Sequence, residues 1–379
     1  MKIHYVTGSR ADFGLMRLVL QHLDAQDGLD VACVVTGQHL LEKYGNSRAD
    51  IVQSGLRIAR DIPVALSGRD GAEMGQALAH ELLGFLDCWQ NDRPDLVLVL
   101  GDRGEMLAAA LAAVHLGIHV AHIHGGEVSG TLDESFRHAI SKLAHFHFPA
   151  NADAAERLRR MGEHEGHIWT TGAPGLVGVT DGTARDPGWL RDRFDLKPTG
   201  APVLVVFHPV VQQAAQAAEQ TAQILQLLLE QDCHGLIMRP NSDAGAELID
   251  QELDRFATSP EHGGRFRILA HLERSEYLNC LANCDLMIGN SSSGIIESAS
   301  FDLACLNLGD RQNGRLRNAN VVDCAQIALE PMRAAYAQAR ALQPPFENAY
   351  GDGKTAERMA EILPKLPLTQ ETLSKINAY

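Results

Sequence analysis

Short apolar runs alternate with helical patterns along nearly the whole chain, and this alternation leaves few folds open. IHYVT (3–7), DVACVVT (30–36), DLVLVL (95–100), HVAHI (119–123) and HFHF (145–148) are continuous apolar runs, as expected of parallel strands covered on both faces. Helical patterns lie between or beside them at 13–25, 72–90, 104–116, 133–143 and 151–161. The series then restarts. PVLVVF (202–207), HGLIM (234–238), FRIL (266–269), DLMIG (285–289) and LACLNL (303–308) read as strands, and 213–231, 244–257, 275–282 and 293–300 as helices. Between the series, residues 170–188 are rich in Gly, Pro, Thr and Asp and suit an interdomain connection. The expected fold is α/β, with two doubly wound Rossmann-like domains at 1–175 and 185–350. A C-terminal helical segment, 351–379, could pack back on the first domain. Ligands in such sheets bind beyond the carboxyl ends of the strands, so the active site is expected in the interdomain cleft.

Charge and cysteine usage narrow the partners. A formal net charge of -15 over 379 residues disfavours nucleic acid and anionic membrane surfaces, but a local arginine cluster can still hold an anionic ligand. No run of about 18 apolar residues exists to span a membrane, and the N-terminal stretch reads as a strand rather than a signal peptide. Seven cysteines without a CxxC motif suggest reduced thiols, so a cytoplasmic location is expected.

Several motifs fall just after the strands. GSRADFG (8–14) places Arg10 in a strand-to-helix turn where anions bind, yet it lacks the glycine spacing of a dinucleotide fingerprint. Its plainer reading is a helix entry capped by Asp12. GDRGE (101–105) puts Asp102 and Arg103 at a strand's end, suiting either proton chemistry beside a charged ligand or a helix cap at Asp102. In GNSSSGIIESAS (289–300), Ser291, Ser292 and Gly294 open a helix, where backbone N–H groups and hydroxyls can bind an anion. Glu297 would lie one turn into that helix and accept from ribose hydroxyls; the plainer reading is an N-cap with a capping-box acid. His208 in FHPV and Asn241 in RPNSDAG follow two further strands and share that rim. His208 could serve as phosphate donor or general acid, or be structural.

The segment HIHGGEVSGTLDESFRHAISKLAHFHF (122–148) allows two readings. His122 and His124 share a strand face and could bind metal with Glu127 or Asp133. Alternatively, Asp133 and Arg137 share one helix face at i,i+4, pairing an acid with a substrate-orienting guanidinium.

Taken in order, these motifs resemble the UDP-N-acetylglucosamine 2-epimerase superfamily, and above all its hydrolysing branch. The likeness runs through SRAD (9–12), TGQHL (36–40), GDR (101–103), GGEVSGTLDESFRHAISKLAH (125–145), HPV (208–210), PNSDAG (240–245), GNSSSG (289–294), NLGDRQNGR (307–315) and YGDG (350–353). It implies a glycosyltransferase-B type of fold. It puts Arg10, His39, Arg103, Asn241, Leu272, Ser291, Ser292, Gly294, Glu297 and Arg311 around the UDP-sugar, and Asp102, His124, Asp133, Arg137 and His208 in catalytic positions. The implied reaction eliminates UDP from UDP-N-acetylglucosamine and rehydrates the glycal to N-acetylmannosamine, a sialic-acid precursor. It needs no cofactor and no metal, and a homodimer follows from the likeness. His124 stands where sialic-acid members often carry glutamate. HIHGGE also resembles the branch acting on UDP-2,4-diacetamido-2,4,6-trideoxyglucose for legionaminic acid, which is the alternative substrate. A UDP-sugar glycosyltransferase, which would need an acceptor, is a more distant alternative, and a metallohydrolase built on His122 and His124 is another.

Overall fold

The computed structural model describes residues 1–379 except 43–46, 66–70, 129–132, 187, 198 and 241–244, and describes only the backbone of residues 71, 133 and 211. In chain order, β1 (Lys2–Thr7), α1 (Arg10–Asp24), β2 (Asp30–Thr36), α2 (Arg48–Gln53), β3 (Arg57–Ile62), α3 (Gly71–Asn91) and β4 (Leu96–Leu100) come first. They are followed by α4 (Gly104–His115), β5 (His119–Ile123), α5 (Asp133–Leu143), β6 (Phe146–Phe148) and α6 (Ala152–Arg160). A second series comprises α7 (Trp189–Phe194), β7 (Ala201–Val206), α8 (Ala217–Glu230), β8 (Cys233–Met238), α9 (Ala246–Thr258), β9 (Phe266–Leu269) and α10 (Arg274–Asn283). It closes with β10 (Leu286–Gly289), α11 (Ser293–Ile296), β11 (Ala304–Leu308), β12 (Val321–Cys324) and α12 (Leu329–Ala341); α13 (Thr355–Ile362) and α14 (Gln370–Leu373) end the chain.

Two compact units result, one of Met1–Gly178 with Tyr350–Tyr379 and one of Val179–Ala349. Each holds a six-stranded sheet, ordered β3-β2-β1-β4-β5-β6 in the first and β12-β11-β10-β7-β8-β9 in the second, with every pairing parallel. The central strands are apolar on both faces because helices cover both, and Leu96, Leu98, Val97 and Val99 of β4 divide between two core clusters accordingly. Ala356, Met359 and Leu363 of the C-terminal segment enter the same core cluster as β1 and β2. Among the described residues, no helix is long and apolar enough to cross a membrane.

Two strands lie outside the apolar runs of the sequence. β3 and β12 are sheet edges, and their residues are largely half-buried or exposed, so charges in RIARDI and VVDC are tolerated. The expected helix at 293–300 is corrected as well: α11 is a single turn, followed by a 3₁₀ turn at Ser298–Phe301. The cause is competition for its carbonyls. Ser298 Oγ donates to Gly294 O at 2.7 Å, while Asn318 and Asn348 side chains donate to Ile295 O and Ile296 O.

Candidate active site

In each unit the strand order reverses beside a central pair, β1 and β4 in the first and β7 and β10 in the second. The loops at those carboxyl ends diverge, leaving backbone groups open to a ligand. Arg10, Asp102, Arg103, His208, Ser291 and Ser292 follow these strands, and His39, His124, Leu272 and Arg311 follow neighbouring ones.

In the first unit, Ser9 rather than Asp12 is the N-cap of α1, and Asp12 completes a capping box from inside the first turn. Asp12 is buried and accepts from Thr7 Oγ1, from Gly8 N at 3.1 Å and from Ser9 N at 3.0 Å. Burial raises its pKa to about 6 despite those donors. Arg10 stays exposed and pairs with Asp50 at 2.9 Å. Arg103 opens α4 and donates through Nε to Glu105 at 2.6 Å. His39 is fully buried, with Nε2 at 2.9 Å from Thr7 Oγ1 and Nδ1 at 2.7 Å from Ser47 Oγ. It therefore presents no surface to a ligand, and burial lowers its pKa to about 4.

Asp102 does not cap α4. Its carboxylate forms an ion pair with Arg137 NH2, while NH1 donates to Glu134 at 3.2 Å and to Glu127 O at 3.1 Å. The Arg137 side chain is 3% exposed and Asp102 26%, so a nearly buried guanidinium holds a carboxylate open to the ligand side. Asp133 starts α5, but its side chain lies outside the described residues. His124 has φ +62, a left-handed conformation that costs a non-glycine residue about 1–3 kcal/mol. Its N–H donates to Phe148 O at 3.1 Å, and Nδ1 lies 3.7 Å from Glu127 Oε1. Asn151 donates to that same oxygen at 3.2 Å, and Arg157 donates to Gly126 O, so the HGGE turn is tied down at His124, Gly126 and Glu127. His122 takes no part in that surface. It is fully buried, and both ring nitrogens face protein partners, Gly101 O and Ser141 Oγ. Among the described residues, no group of three or more His, Cys, Asp or Glu side chains is arranged to hold a metal ion.

In the second unit, Asn290 organises the rim. Its amide brackets His208, accepting from His208 N at 2.8 Å and donating to His208 O at 2.8 Å. Its own carbonyl accepts from Arg311 NH1 at 3.1 Å and Gln312 Nε2 at 2.9 Å. The ends of β7, β10 and β11 are thereby joined, which brings His208, Ser291, Ser292 and Arg311 to one edge. Ser292 sits at the N-cap position of α11 without a side-chain cap bond, and Ser291 Oγ accepts from Ser293 N at 3.3 Å. Four residues carry little helix dipole, so an anion here would rely on N–H groups, hydroxyls and Arg311. Glu297 is at the end of α11, not one turn inside a longer helix; it pairs with Arg274 and accepts from Ser293 Oγ at 2.6 Å. At Gly294 a Cβ would meet Cys305 Sγ at 2.6 Å, so this glycine serves close helix-to-strand packing. Leu272 is buried in the turn between β9 and α10. Asn241 lies outside the described residues.

Sequence reasoning did not pick out Glu81. It is buried in α3 and lies 3.0 Å from Thr36 Oγ1, whose one hydrogen goes to Ile62 O at 2.8 Å. Glu81 must then donate its own proton, consistent with burial and the nearby Glu105 raising its pKa to about 8. The signal was available: Ala77, Glu81, Phe85 and Trp89 recur at helical spacing, with one carboxyl in an otherwise apolar stripe.

Two doubly wound α/β units with ligand rims at their switch points define the glycosyltransferase-B class of fold. The UDP-N-acetylglucosamine 2-epimerase of Neisseria meningitidis, solved with UDP-GlcNAc bound, has this fold. Its TM-score is 0.77 at 18% identity, over 97% of this chain and 100% of that one. The family model for UDP-N-acetylglucosamine 2-epimerase matches residues 21–364, and the chain belongs to that family. A hydrolysing UDP-N,N'-diacetylbacillosamine 2-epimerase of Legionella pneumophila is 44% identical over 100% of this chain and 99% of its own length. A GDP/UDP-N,N'-diacetylbacillosamine 2-epimerase (hydrolysing) of Campylobacter jejuni is 30% identical over 85% of this chain and 84% of its own.

Proposed function

We propose that the protein is a hydrolysing UDP-sugar 2-epimerase whose substrate is UDP-2,4-diacetamido-2,4,6-trideoxyglucose, that is, UDP-N,N'-diacetylbacillosamine. The products are UDP and the free 2-epimerised sugar. The observation that carries the substrate is the full-length 44% identity to the Legionella enzyme of that specificity, which favours the diacetamido sugar over N-acetylglucosamine.

The chemistry divides between two sets of groups. The C2 hydrogen beside an acetamido group is weakly acidic, and its removal is feasible only as the C1 substituent departs. A base takes the C2 proton, the C–H electrons form a C1–C2 double bond, and UDP leaves with the C1–O electron pair. Water then adds its hydroxyl to C1, and an acid returns a proton to C2 from the opposite face. Asp102, held by Arg137, is suited to proton transfer, with His124 and Asp133 as the other candidates on the sugar side. Ser291, Ser292, His208 and Arg311, with Arg10 and Arg103, neutralise the departing diphosphate, where fixed donors stabilise the charge that develops.

Supplied separately with the two donors and no acceptor, the enzyme is expected to release UDP and free sugar from both. The kcat/KM should favour the diacetamido donor by about 100-fold, the range a shaped pocket gives. Product NMR and UDP release measure this. Preference for UDP-N-acetylglucosamine would overturn the substrate, and no free sugar from either donor would overturn the hydrolysing reaction.

Removing the Ser291 and Ser292 hydroxyls together should weaken UDP binding about 100-fold or more, since each hydrogen bond to a charged group is worth about 1.5–3 kcal/mol. Calorimetric titration of the Ser291→Ala/Ser292→Ala variant with UDP checks this, and unchanged affinity removes these hydroxyls from the diphosphate site.

A further inference from the structure

His122 is a histidine that the reaction above does not use, yet it lies directly beneath the groups that do. Its Nε2 is 2.7 Å from Gly101 O and its Nδ1 is 3.0 Å from Ser141 Oγ. A carbonyl can only accept, so Nε2 carries the hydrogen. Burial, the largest influence, pushes the His122 pKa down to about 3, so the ring is neutral and Nδ1 accepts from the Ser141 hydroxyl. The tautomer is thus set by its two partners.

Those partners are the immediate supports of the Asp102–Arg137 pair. Gly101 precedes Asp102 in the turn after β4, has φ +77, and donates its N–H to Ile123 O at 2.9 Å. Ser141 lies one turn after Arg137 on α5, at i,i+4 and therefore on the same face. The imidazole spans the gap between the β4 turn and α5, and its length sets the spacing of the carboxylate and the guanidinium. The catalytic turn packs onto the same bridge: a Cβ on Gly125 would lie 2.8 Å from His122 Nδ1 and 2.9 Å from Ser141 Oγ. The far end of α5 is fixed as well. Lys375 donates to Ser141 O at 3.0 Å, Lys142 O at 3.0 Å and Ala144 O at 2.6 Å, so the helix cannot slide to compensate for a lost bridge.

We propose that His122 is a positioning residue of this enzyme, a neutral imidazole strut from Ser141 to Gly101 that holds Asp102 and Arg137 at their working separation. The proposal rests on the reading of that pair as sugar-side groups. A positional error of about 1 Å at such groups can cost about 100-fold in turnover.

The test uses the full-length enzyme and the donor it turns over. His122→Leu should lower kcat about 100-fold with KM and UDP affinity within about twofold, the pattern of an interaction made in the transition state. His122→Gln keeps one amide donor for Gly101 O and one acceptor for Ser141, and should recover most of that loss. Ser141→Ala should lower kcat by about tenfold in the wild-type background and have no further effect on His122→Leu, since the two act as one unit. If His122→Leu does not fold, Ser141→Ala and His122→Gln carry the test. Wild-type kcat in a folded His122→Leu or in Ser141→Ala overturns the strut. Equal loss in His122→Gln and His122→Leu overturns it too, because the ring itself would then be required. Asp102→Asn is run alongside. Full activity there removes the parent reading, whereas an inactive Asp102→Asn beside a fully active His122→Leu removes only the strut.

Discussion

Asp102→Asn is expected to lower kcat by about 10²–10⁴-fold while leaving UDP affinity unchanged, the range over which positioned acid or base groups act. Asparagine preserves the shape of the side chain and removes both its charge and its capacity to take a proton. The groups proposed to hold UDP are separate: Asn290 bonds His208 and Arg311 beside Ser291 and Ser292, and Asp102 takes no part in those bonds. A second consequence is structural. Arg137 is 3% exposed and would lose the charge of Asp102 beside it, so a stability loss of about 1–3 kcal/mol is expected. Initial rates of UDP release, UDP titration calorimetry and thermal unfolding separate these effects. A wild-type rate would exclude Asp102 from proton transfer, and weakened UDP binding would move it to the diphosphate.

Residues that are buried for one reason were legible in the sequence, and residues that answer two demands were not. The central strands needed only to be apolar, so β1, β2, β4, β5, β7, β8 and β10 are visible as runs. The edges β3 and β12 are half solvated and carry charges that mask them. Residues 293–300 have a helical pattern, but asparagines from distant positions 318 and 348 take their carbonyls, which no local window contains. Asp102 and Arg137 were found as separate signals, 35 residues apart, and their pairing required the register of β4 beside β5. His122 and His124 looked equivalent on one strand. The chain turns at His124 with φ +62, and this leaves one ring at the surface and one in the core.

Thermal stability is expected to peak at about pH 7 and to fall on both sides, for two opposed sets of buried groups. His4, His39 and His145 are held near pKa 4 and His122 near 3, each chiefly by burial. Folded, they stay neutral; unfolded, they protonate near 6.5. Below that pH the unfolded chain binds more protons, so these histidines withdraw stability as pH falls towards 4. Glu81 and Asp12 act the other way. Burial raises them to about 8 and about 6, so the folded protein holds protons that the unfolded chain releases. They lend stability as pH falls through those values, which partly offsets the histidines. Four histidines against two carboxyls leave a net loss of about 2 kcal/mol per pH unit between 6.5 and 4.5, a large part of the stability of an ordinary protein. Above about pH 7 the unfolded histidines have lost most of their protons and Glu81 dominates among these six, so stability falls by roughly 0.5 kcal/mol per unit as pH rises towards 8. Unfolding midpoints measured from pH 4.5 to 9 test the shape, and a midpoint that holds or rises down to pH 4.5 would contradict it. Glu81→Gln isolates the alkaline arm. Its amide supplies the donor that Thr36 requires without a proton to lose, so the variant should gain on the wild type as pH rises from about 5 to about 8 and hold that gain above 8.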